Sequence, residues 1–423
     1  MPMNRRELLA GIGGMAVIGL EGAATRNANS HSAIVPDGAG SLPAASLPAK
    51  SDFSIPAEIS FINSAYTHPM PNAAAAALRE YAEFRSHPQA VSQPKKVVAN
   101  LKAEFAALIN AKDSEVCYIP NTSTGENLVV NGLDIDYKSE NVVTDALHFE
   151  GAILHLQALQ QRYGLDLRMV MPRNWRIEIK DLERVVDKKT KLIEVSLVAM
   201  DNGFQHDLKA VCDVAHAHGA YVYADIVQAV GNTPIDVRAS DVDFCACSSF
   251  KWLMGDFGLG FLFVKESLLD RVIRRSQYGY YEAAALDSHF LPGDPPSSAA
   301  YTWELEKNTT GHFEVGSQTV GVTHILAQSL PYIRRLGVEN IYTHRQPFLK
   351  RLHQEMPRLG FDPITPPEST SALISFAVKD YKSVQQRLRN ANVNARVSQR
   401  YIRISPSVFN DMADIEKLLQ ALS

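Results

Sequence analysis

Short apolar runs alternate with amphipathic helical patterns through the middle third of the chain. Strands are expected at 140–144, 166–171 and 191–197, where compact apolar runs end in turn residues. Helices are expected at 152–163, 179–186 and 208–218, where apolar positions recur every three or four residues. Because strands that alternate with helices usually pair in parallel, the pattern predicts an α/β fold with a largely parallel sheet.

The flanking segments extend this prediction into two domains. Three further apolar runs, Tyr221–Asp225, Phe244–Ser248 and Gly260–Val264, predict sheet-centre strands whose ends carry chemistry. Upstream, 72–110 has a mostly helical pattern and 115–120 predicts a strand. Downstream, a Pro/Ser/Gly-rich insertion at 291–299 precedes helical patterns at 322–336 and 338–356 and strands near 372–377 and 400–405. We expect a large domain over 52–320, with its N-terminal segment packing on a small α/β domain over 321–423.

The first residues have the features of an export signal. Arg5 and Arg6 precede a short apolar stretch over 10–20, and the small residues Ala23 and Ala24 follow it. This pattern resembles a twin-arginine signal, and the stretch is shorter than the roughly 20 residues of a membrane helix. We expect 1–51 to be leader and linker, the mature protein to be periplasmic, and no stable membrane span to remain after cleavage. A cytoplasmic leader with a chance Arg-Arg pair is the alternative.

Composition excludes some partners. The 423 residues carry a formal net charge of −4 and no long basic run, so nucleic acid is not expected as a partner. The four cysteines, Cys117, Cys212, Cys245 and Cys247, lie in or beside apolar runs. They are interpreted as buried thiols rather than as a metal or disulfide site.

The densest cluster of candidate catalytic residues contains an aspartate at the end of one strand and a lysine that follows another. Asp225 ends one apolar strand, and Lys251 follows another within Ser-Ser-Phe-Lys-Trp at 248–252. With Tyr-Ala-Asp-Ile-Val-Gln at 223–228, this arrangement resembles the class V aminotransferase family of fold-type I pyridoxal-phosphate (PLP) enzymes, from about residue 61 onward. The resemblance implies a large domain with a mainly parallel seven-stranded sheet, a small C-terminal α/β domain, PLP as cofactor and a homodimer with shared active sites.

The resemblance assigns roles that suit the chemistry of these residues. Lys251 would hold the cofactor as a Schiff base and then carry protons, because its amine can condense with the PLP aldehyde. Asp225 would pair with the pyridinium nitrogen, and Gln228 would contact the phenolic oxygen. A surface lysine and a helix-capping aspartate are the plainer alternatives.

The remaining cofactor contacts also follow from the resemblance. Thr122 and Ser123 open a helix and match the phosphate-binding pair, although such a turn taken alone is usually only a cap. Ser248 would add a phosphate contact, and His148 would stack on the cofactor ring, with an ordinary loop histidine as the alternative. In the run at 313–319, Gly316 and Ser317 would reach the phosphate of the partner subunit.

Substrate-binding residues are expected near the C-terminus. Arg403 falls where the family binds the substrate carboxylate, and Arg396 and Arg400 leave that choice open. Asn202 is a candidate substrate or cofactor contact, with a plain turn as its alternative.

Two features of this sequence differ from the desulfurases of the family and narrow the range of expected reactions. No cysteine follows Cys247, and Phe250 stands where many desulfurases have a histidine, which argues against persulfide-forming desulfurase chemistry. We expect an exported enzyme acting on the amino group or α-carbon of an amino acid or peptide-linked amino acid, foremost an aminotransferase. An exported branch of the family that tailors pyoverdine siderophores fits the leader and the missing cysteine. A carbon–sulfur lyase or an epimerase is the alternative, and a cofactor-less binding protein is disfavoured.

Overall fold

A computed structural model describes residues 46–87, 101–279 and 283–423. The expected twin-arginine leader, with Arg5 and Arg6, lies outside these residues. Within the described ranges, no helix is both long and apolar enough to cross a membrane. The expectations of export and of a periplasmic location stay predictions.

A seven-stranded sheet forms the centre of the molecule, and its order is β2-β8-β7-β6-β5-β3-β4. All neighbouring pairs are parallel except the two that involve β8, which runs antiparallel to both β2 and β7. This arrangement confirms the expected α/β fold with a mainly parallel seven-stranded sheet. The strands of the described residues are β1 Ser60–Phe61, β2 Val116–Ile119, β3 Asn141–Asp145, β4 Asp166–Val170, β5 Thr190–Ser196, β6 Tyr221–Asp225, β7 Phe244–Ser248, β8 Gly260–Val264, β9 Ala283–Ser288, β10 Tyr301–Leu305, β11 Ile374–Ala377, β12 Val393–Asn394, β13 Arg396–Val397 and β14 Tyr401–Ile404.

Helices cover both faces of this sheet, so its central strands are apolar on both sides. Every residue of β7 and β8 is buried, as expected for strands with covered faces. The helices of the described residues are α1 Asn72–Ser86, α2 Leu101–Leu108, α3 Thr122–Gly132, α4 Glu150–Tyr163, α5 Ile179–Glu183, α6 Leu208–Ala217, α7 Val237–Ser240, α8 Thr309–Phe313, α9 Val320–Leu336, α10 Val338–Glu355, α11 Tyr381–Asn390 and α12 Met412–Leu422.

Close packing fixes the position of α3 on the sheet. A Cβ atom added at Gly125 would lie 2.7 Å from Ile119 Cδ1 and 2.9 Å from Ala246 Cβ. The absence of a side chain therefore lets the helix backbone approach β2 and β7. The N-terminus of α3 is held next to the end of β7, where Ser248 lies.

A second apolar cluster is formed by the C-terminal segments. The antiparallel strands β11, β14 and β13 pack with α10, α11 and α12, and β1 near the start of the described chain pairs in parallel with β12. The helix α9 instead contributes Val322, Leu326 and Leu330 to the cluster of the large sheet. The apolar face of α9 thus belongs with the large sheet, C-terminal to the expected boundary at 320, and the boundary itself stays a prediction.

One local feature was not expected from the pattern. The insertion at 291–299 lies within an antiparallel hairpin of β9 and β10; every residue of β9 is half-buried and most of β10 is exposed, so the two strands lack the apolar periodicity that predicts strands. In the described part of 72–110, the mostly helical pattern corresponds to the helices α1 and α2.

Candidate active site

The N-terminus of α3 and the end of β7 form a cup of hydroxyl and amide groups. The Thr122 backbone N–H donates to Ser248 Oγ at 3.0 Å, and the two side-chain oxygens lie 2.9 Å apart. Asn121 caps the helix by accepting from the Thr124 N–H at 2.9 Å. Ser123, one residue into the helix, is exposed. A helix N-terminus lined with hydroxyls is suited to a phosphate group, because its free N–H groups and dipole favour negative charge.

A buried carboxylate stands at the end of the neighbouring strand. Asp225 is only 5% exposed, and its Oδ1 accepts from the Val227 N–H at 2.9 Å. Burial raises the pKa of Asp225, while this hydrogen bond and the charges of His148 and Lys251 oppose that shift. A carboxylate removed from water in this way gains from a cationic partner such as a protonated ring nitrogen.

Lys251 lies in the turn after β7, with its amine largely removed from water. Burial, together with the charges of Arg403 and Arg396, lowers the pKa of Lys251 to about 8 against the opposing charge of Asp225. A larger fraction of this amine is therefore deprotonated near neutral pH than of an ordinary lysine, and the deprotonated form is the nucleophile. The same groups place Lys251 in the electrostatic field of both Asp225 and the two arginines.

His148 is held in the loop after β3 by a contact from β5. Its Nδ1 lies 2.9 Å from Ser196 Oγ, and its Nε2 lies 3.8 Å from Glu194 Oε2. Burial lowers the pKa of His148, but the surrounding carboxylates of Glu194, Asp225 and Asp145 outweigh it, so the net shift is upward. The ring is therefore fixed in orientation by groups on the sheet.

Gln228 is buried in a small network that supports the lysine turn. Trp252 Nε1 donates to Gln228 Oε1 at 2.9 Å, and Gln228 Nε2 donates to the Ala65 carbonyl at 3.2 Å. Gln228 Nε2 carries a second N–H, so a contact with the cofactor's phenolic oxygen stays a prediction. The network ties the turn that holds Lys251 to the segment around Ala65.

Asn202 is occupied by two backbone contacts, one within its own loop and one to the loop that contains Trp175. Its Nδ2 donates to the Trp175 carbonyl at 2.7 Å, and its Oδ1 accepts from the Phe204 N–H at 3.0 Å. These contacts match the plain-turn alternative, and a role toward substrate or cofactor stays a prediction.

The three candidate arginines differ in burial. Arg403 is 0% exposed and donates from Nη1 to the Met200 carbonyl at 2.9 Å, while its Nε and Nη2 have no hydrogen-bond partner among the described residues. Arg396 is paired with Arg403 across β13 and β14 and is half-buried. Arg400 is exposed. Burial with open donors favours Arg403 as the carboxylate-binding group, because an unsatisfied buried donor costs free energy until a ligand pairs with it.

Gly316 and Ser317 lie in the loop that leads into α9. A Cβ atom at Gly316 would meet nothing within 4 Å, and Ser317 is exposed. Their action on the phosphate of a partner subunit stays a prediction.

Sequence reasoning missed Glu194 and Ser196. Both lie on β5, the strand that was predicted as an ordinary apolar element, and both face the His148 ring. The available signal was a glutamate between the apolar residues Ile193 and Val195 of a predicted strand, since acidic residues are rarely buried without a partner. Periodicity alone could not show which group it meets.

Comparison with known proteins places this geometry in a family. The model of the family described as Aminotransferase class-V matches residues 60–418. The chain belongs to the class V aminotransferase family. A cysteine desulfurase from Shigella sonnei (strain Ss046) is 30% identical over 265 residues, and so is one from Escherichia coli (strain K12 / DH10B). Each match covers 60% of this chain and 60% of the relative, so the chain matches about three fifths of the length of these curated relatives.

Solved structures of similar fold include two carbon–sulfur enzymes. The apo structure of the cysteine desulfurase from Thermococcus onnurineus NA1 has a TM-score of 0.75 at 22% identity, covering 88% of this chain and 95% of that one. The complex of the cystine C-S lyase C-DES with its product cysteine persulfide has a TM-score of 0.72 at 21% identity, covering 86% and 97%. At these identities the likeness concerns the fold.

The class V enzyme has residues that fit PLP, the cofactor of this family. The cup at Thr122 and Ser248 suits the phosphate, the buried carboxylate of Asp225 suits the pyridinium nitrogen, and the Lys251 amine suits the aldehyde. The described residues contain no group of three or more His, Cys, Asp or Glu side chains that could hold a metal ion. The phosphate, the ring nitrogen and the aldehyde of PLP thus each have a chemically matching group among these residues.

The four cysteines of the class V enzyme are buried in the structure, as expected. Burial raises the pKa of the Cys212 thiol to about 12, and burial also raises the pKa of the Cys117, Cys245 and Cys247 thiols. A thiol with a raised pKa is a poor nucleophile, because the thiolate is the reactive form. The buried positions therefore match structural thiols.

Proposed function

We propose that this class V enzyme acts on the amino group of a carboxylate-bearing amine, an amino acid or a peptide-linked amino acid, and that its reaction is an amino-group transfer. The Arg403 guanidinium carries this proposal. It is fully buried, has two donor nitrogens without a partner among the described residues, and acts electrostatically on Lys251. A carboxylate bound there would place the neighbouring amine of the substrate close to the lysine.

Each residue of the candidate site has a separate role in such a reaction. PLP, when bound, supplies an electron sink for the carbanion that forms at the substrate α-carbon. Arg403 binds and orients the carboxylate through a charge-assisted pair. Lys251, with its lowered pKa, takes a proton at Nζ and returns it, because its amine exchanges readily between the two protonation states near pH 8. Asp225 and the cup at Thr122 hold the cofactor in place.

A cleft beside the site suits a substrate larger than a free amino acid. It has a volume of about 830 Å³ and is lined by segments of the small C-terminal cluster together with Asn63 and Tyr66. Arg396 also lines this cleft and acts on Lys251, so the cleft and the lysine share one side chain. The Arg396 guanidinium lies 5.9 Å from the centroid of the exposed Tyr66 ring. A peptide-linked substrate could extend into this cleft from Arg403.

Elimination of sulfur is the second candidate reaction. It is favoured by the fold shared with the cystine C-S lyase C-DES and by the desulfurase relatives. A lyase that releases sulfide needs no nucleophilic cysteine, whereas persulfide formation on the enzyme would need an accessible thiolate. The burial of all four thiols therefore disfavours the desulfurase reaction for this chain and leaves the lyase reaction open.

Export and siderophore tailoring belong to the same proposal. The leader pattern around Arg5 and Arg6 supports transport of the folded enzyme, and a pyoverdine-type peptide would supply a peptide-linked substrate for the cleft. Replacing both arginines with lysine is expected to leave the protein in the cytoplasmic fraction. Unchanged recovery from the periplasm would refute the twin-arginine route.

The reaction is tested with the purified holoenzyme and a panel of amino acids and short peptides. Transfer predicts a keto product and conversion of the bound cofactor to its amine form, seen as loss of the visible absorbance. Release of sulfide or pyruvate would establish the lyase reaction instead. Lys251→Ala is expected to lose both activity and the lysine-bound absorbance band, and an unchanged spectrum in this variant would refute the cofactor assignment.

A further inference from the structure

A buried glutamate behind the His148 ring is not used by the mechanism above. Glu194 lies in the middle of β5 and is 0% exposed. Neither of its carboxyl oxygens has a hydrogen-bond partner among the described residues, and the same holds for His148 Nε2. Glu194 Oε2 and His148 Nε2 lie 3.8 Å apart with both side chains removed from water. Such a carboxyl is expensive to bury unless a cation faces it.

The other ring nitrogen of His148 is fixed from the same strand. Ser196 Oγ lies 2.9 Å from His148 Nδ1 and also accepts from the Phe149 N–H at 3.3 Å. A hydroxyl that accepts from Nδ1 leaves Nε2 free to carry a second proton toward Glu194. The contacts of the ring are therefore compatible with an imidazolium whose two N–H groups point at Ser196 and Glu194.

A second glutamate in the same cluster is already partnered. Glu126 Oε1 lies 2.8 Å from His155 Nδ1, and its Oε2 accepts from Asn127 Nδ2 at 2.7 Å. Burial, and then the charge of Glu194, raises the pKa of Glu126 to about 10, so this carboxyl is protonated at neutral pH. Burial lowers the pKa of His155. Glu126 therefore has partners in His155 and Asn127, whereas neither oxygen of Glu194 has a hydrogen-bond partner among the described residues and its Oε2 faces His148 Nε2 at 3.8 Å.

We infer that Glu194 is a positioning residue that keeps His148 protonated, so that His148 presents a positive charge rather than a neutral ring to the cofactor. A cation against the cofactor ring stabilises electron density drawn into that ring. The inference rests on the cofactor site and on the stacking role of His148, and it holds whether the reaction is transfer or elimination. The titratable groups that face this cluster from the packed elements are Asp145 on β3, Glu126 on α3, His155 on α4, Glu194 on β5, Asp225 on β6 and His206 beside Asp145.

The first test measures the protonation of His148 in the wild-type holoenzyme. The nitrogen NMR shift of its ring, assigned by its loss in His148→Gln, is followed across a pH titration. We expect the imidazole to stay protonated through pH 7, above the ordinary midpoint of about 6.5. A neutral His148 ring at pH 7 would overturn the inference without any need for a Glu194 variant.

The second test removes the charge of Glu194 and keeps its shape. In Glu194→Gln the His148 midpoint is expected to fall by about 1 unit or more, since an opposite charge within about 4–6 Å shifts a pKa by that amount. Ser196→Ala is the matched control, because it removes the contact at His148 Nδ1 and leaves the Glu194 carboxylate in place. The His148 midpoint is expected to move less in this variant than in Glu194→Gln. Equal midpoints in wild type and Glu194→Gln, or a larger fall in Ser196→Ala, would refute the role of Glu194.

The bound cofactor gives an independent readout. In Glu194→Gln the visible absorbance of the lysine-bound cofactor is expected to gain a pH-dependent step at the lowered His148 midpoint, and no such step is expected in wild type. A band that is present but identical in its pH dependence in both proteins would overturn the inference. Absence of the band from the wild type would refute the cofactor site itself, so the two failures can be told apart.

Discussion

Arg345 and Arg403 are both fully buried in the described part of the chain, but their environments are opposite. Arg345 on α10 donates to the Asn232 carbonyl, to Thr233 Oγ1 at 2.9 Å and to the Thr370 carbonyl at 3.3 Å. Arg403 on β14 donates to the Met200 carbonyl, and this is its only hydrogen bond among the residues that the structure describes. Burial lowers the pKa of both guanidinium groups. Both terminal nitrogens of Arg345 are paired within the protein and only its Nε lacks a hydrogen-bond partner among the described residues, whereas Arg403 keeps both Nε and Nη2 without one.

The difference in hydrogen bonding separates a structural buried cation from one that is available to bind a ligand. A folded chain satisfies a structural cation with its own acceptors, as the loop carbonyls do for Arg345. Arg403 keeps Nε and Nη2 without a partner among the described residues, although it is at least as well buried. The missing acceptors are those that a substrate carboxylate would bring. Lys251 lies within the field of Arg403, which connects this open cation to the reacting amine.

The largest expected effect comes from removing the open cation. Arg403→Met is expected to lower kcat/KM by about 100- to 1,000-fold, since losing one partner of a buried charge pair costs about 3–4 kcal/mol. Arg403→Lys keeps the positive charge but loses the two-pronged guanidinium geometry. Its kcat/KM should therefore lie between the values of Arg403→Met and the wild type. Steady-state kinetics with the best substrate of the panel measures both. An Arg403→Met variant with wild-type kcat/KM would show that Arg403 is structural.

Removing the satisfied cation is expected to affect stability instead. Arg345→Met leaves the carbonyls of Asn232 and Thr370 without their donor, which should lower the free energy of unfolding by about 1–3 kcal/mol. Denaturant unfolding measures this loss, and kinetics of the folded fraction should show an unchanged KM. A raised KM with unchanged stability would reverse the contrast between the two arginines.

Arg396 should have a smaller effect than Arg403. It is half-buried and lines the cleft, so solvent screens its interaction with a substrate. Arg396→Ala is expected to lower kcat/KM by roughly 3- to 10-fold, with a larger drop for peptide substrates than for free amino acids. Arg400→Ala is the matched control, because Arg400 is exposed, and its kcat/KM should be close to that of the wild type. A loss in Arg400→Ala as large as that in Arg403→Met would reassign the carboxylate site.

The smallest expected effect is a shift in the pH dependence of cofactor capture. Burial, with the charges of Arg403 and Arg396, lowers the pKa of Lys251 to about 8, so the deprotonated amine becomes available as the pH rises through 8. The rate at which apoenzyme captures PLP should rise over that range. In Arg403→Met the midpoint should move upward, because one repelling cation is gone, and in Arg345→Met it should stay. Stopped-flow absorbance measures this rate, and a downward shift in Arg403→Met would contradict the assigned field.

The local pattern predicted most of the elements that carry the site. The strands at Tyr221–Asp225, Phe244–Ser248 and Gly260–Val264 match the structure residue for residue, because compact apolar runs between turn residues leave little choice of conformation. The hairpin of β9 and β10 was not predicted, since neither strand has a buried residue: β9 is half-buried and β10 is largely exposed. The order of the elements along the chain also could not show that β8 runs antiparallel. Its direction is decided by its pairing with β2 and β7 in the folded sheet.

The sequence alone determined the family and the α/β fold and singled out Lys251 and Asp225 as candidate cofactor residues, because these depend on residue types at fixed spacing along the chain. Only the tertiary structure decided which polar groups are satisfied. It gave Asn202 two backbone partners, left Arg403 with open donors and brought Glu194 within 3.8 Å of His148. The physical reason is that desolvation and hydrogen bonding depend on atoms distant in sequence. Residues 148, 194 and 403 acquire their chemical character only when sheet and loops enclose them.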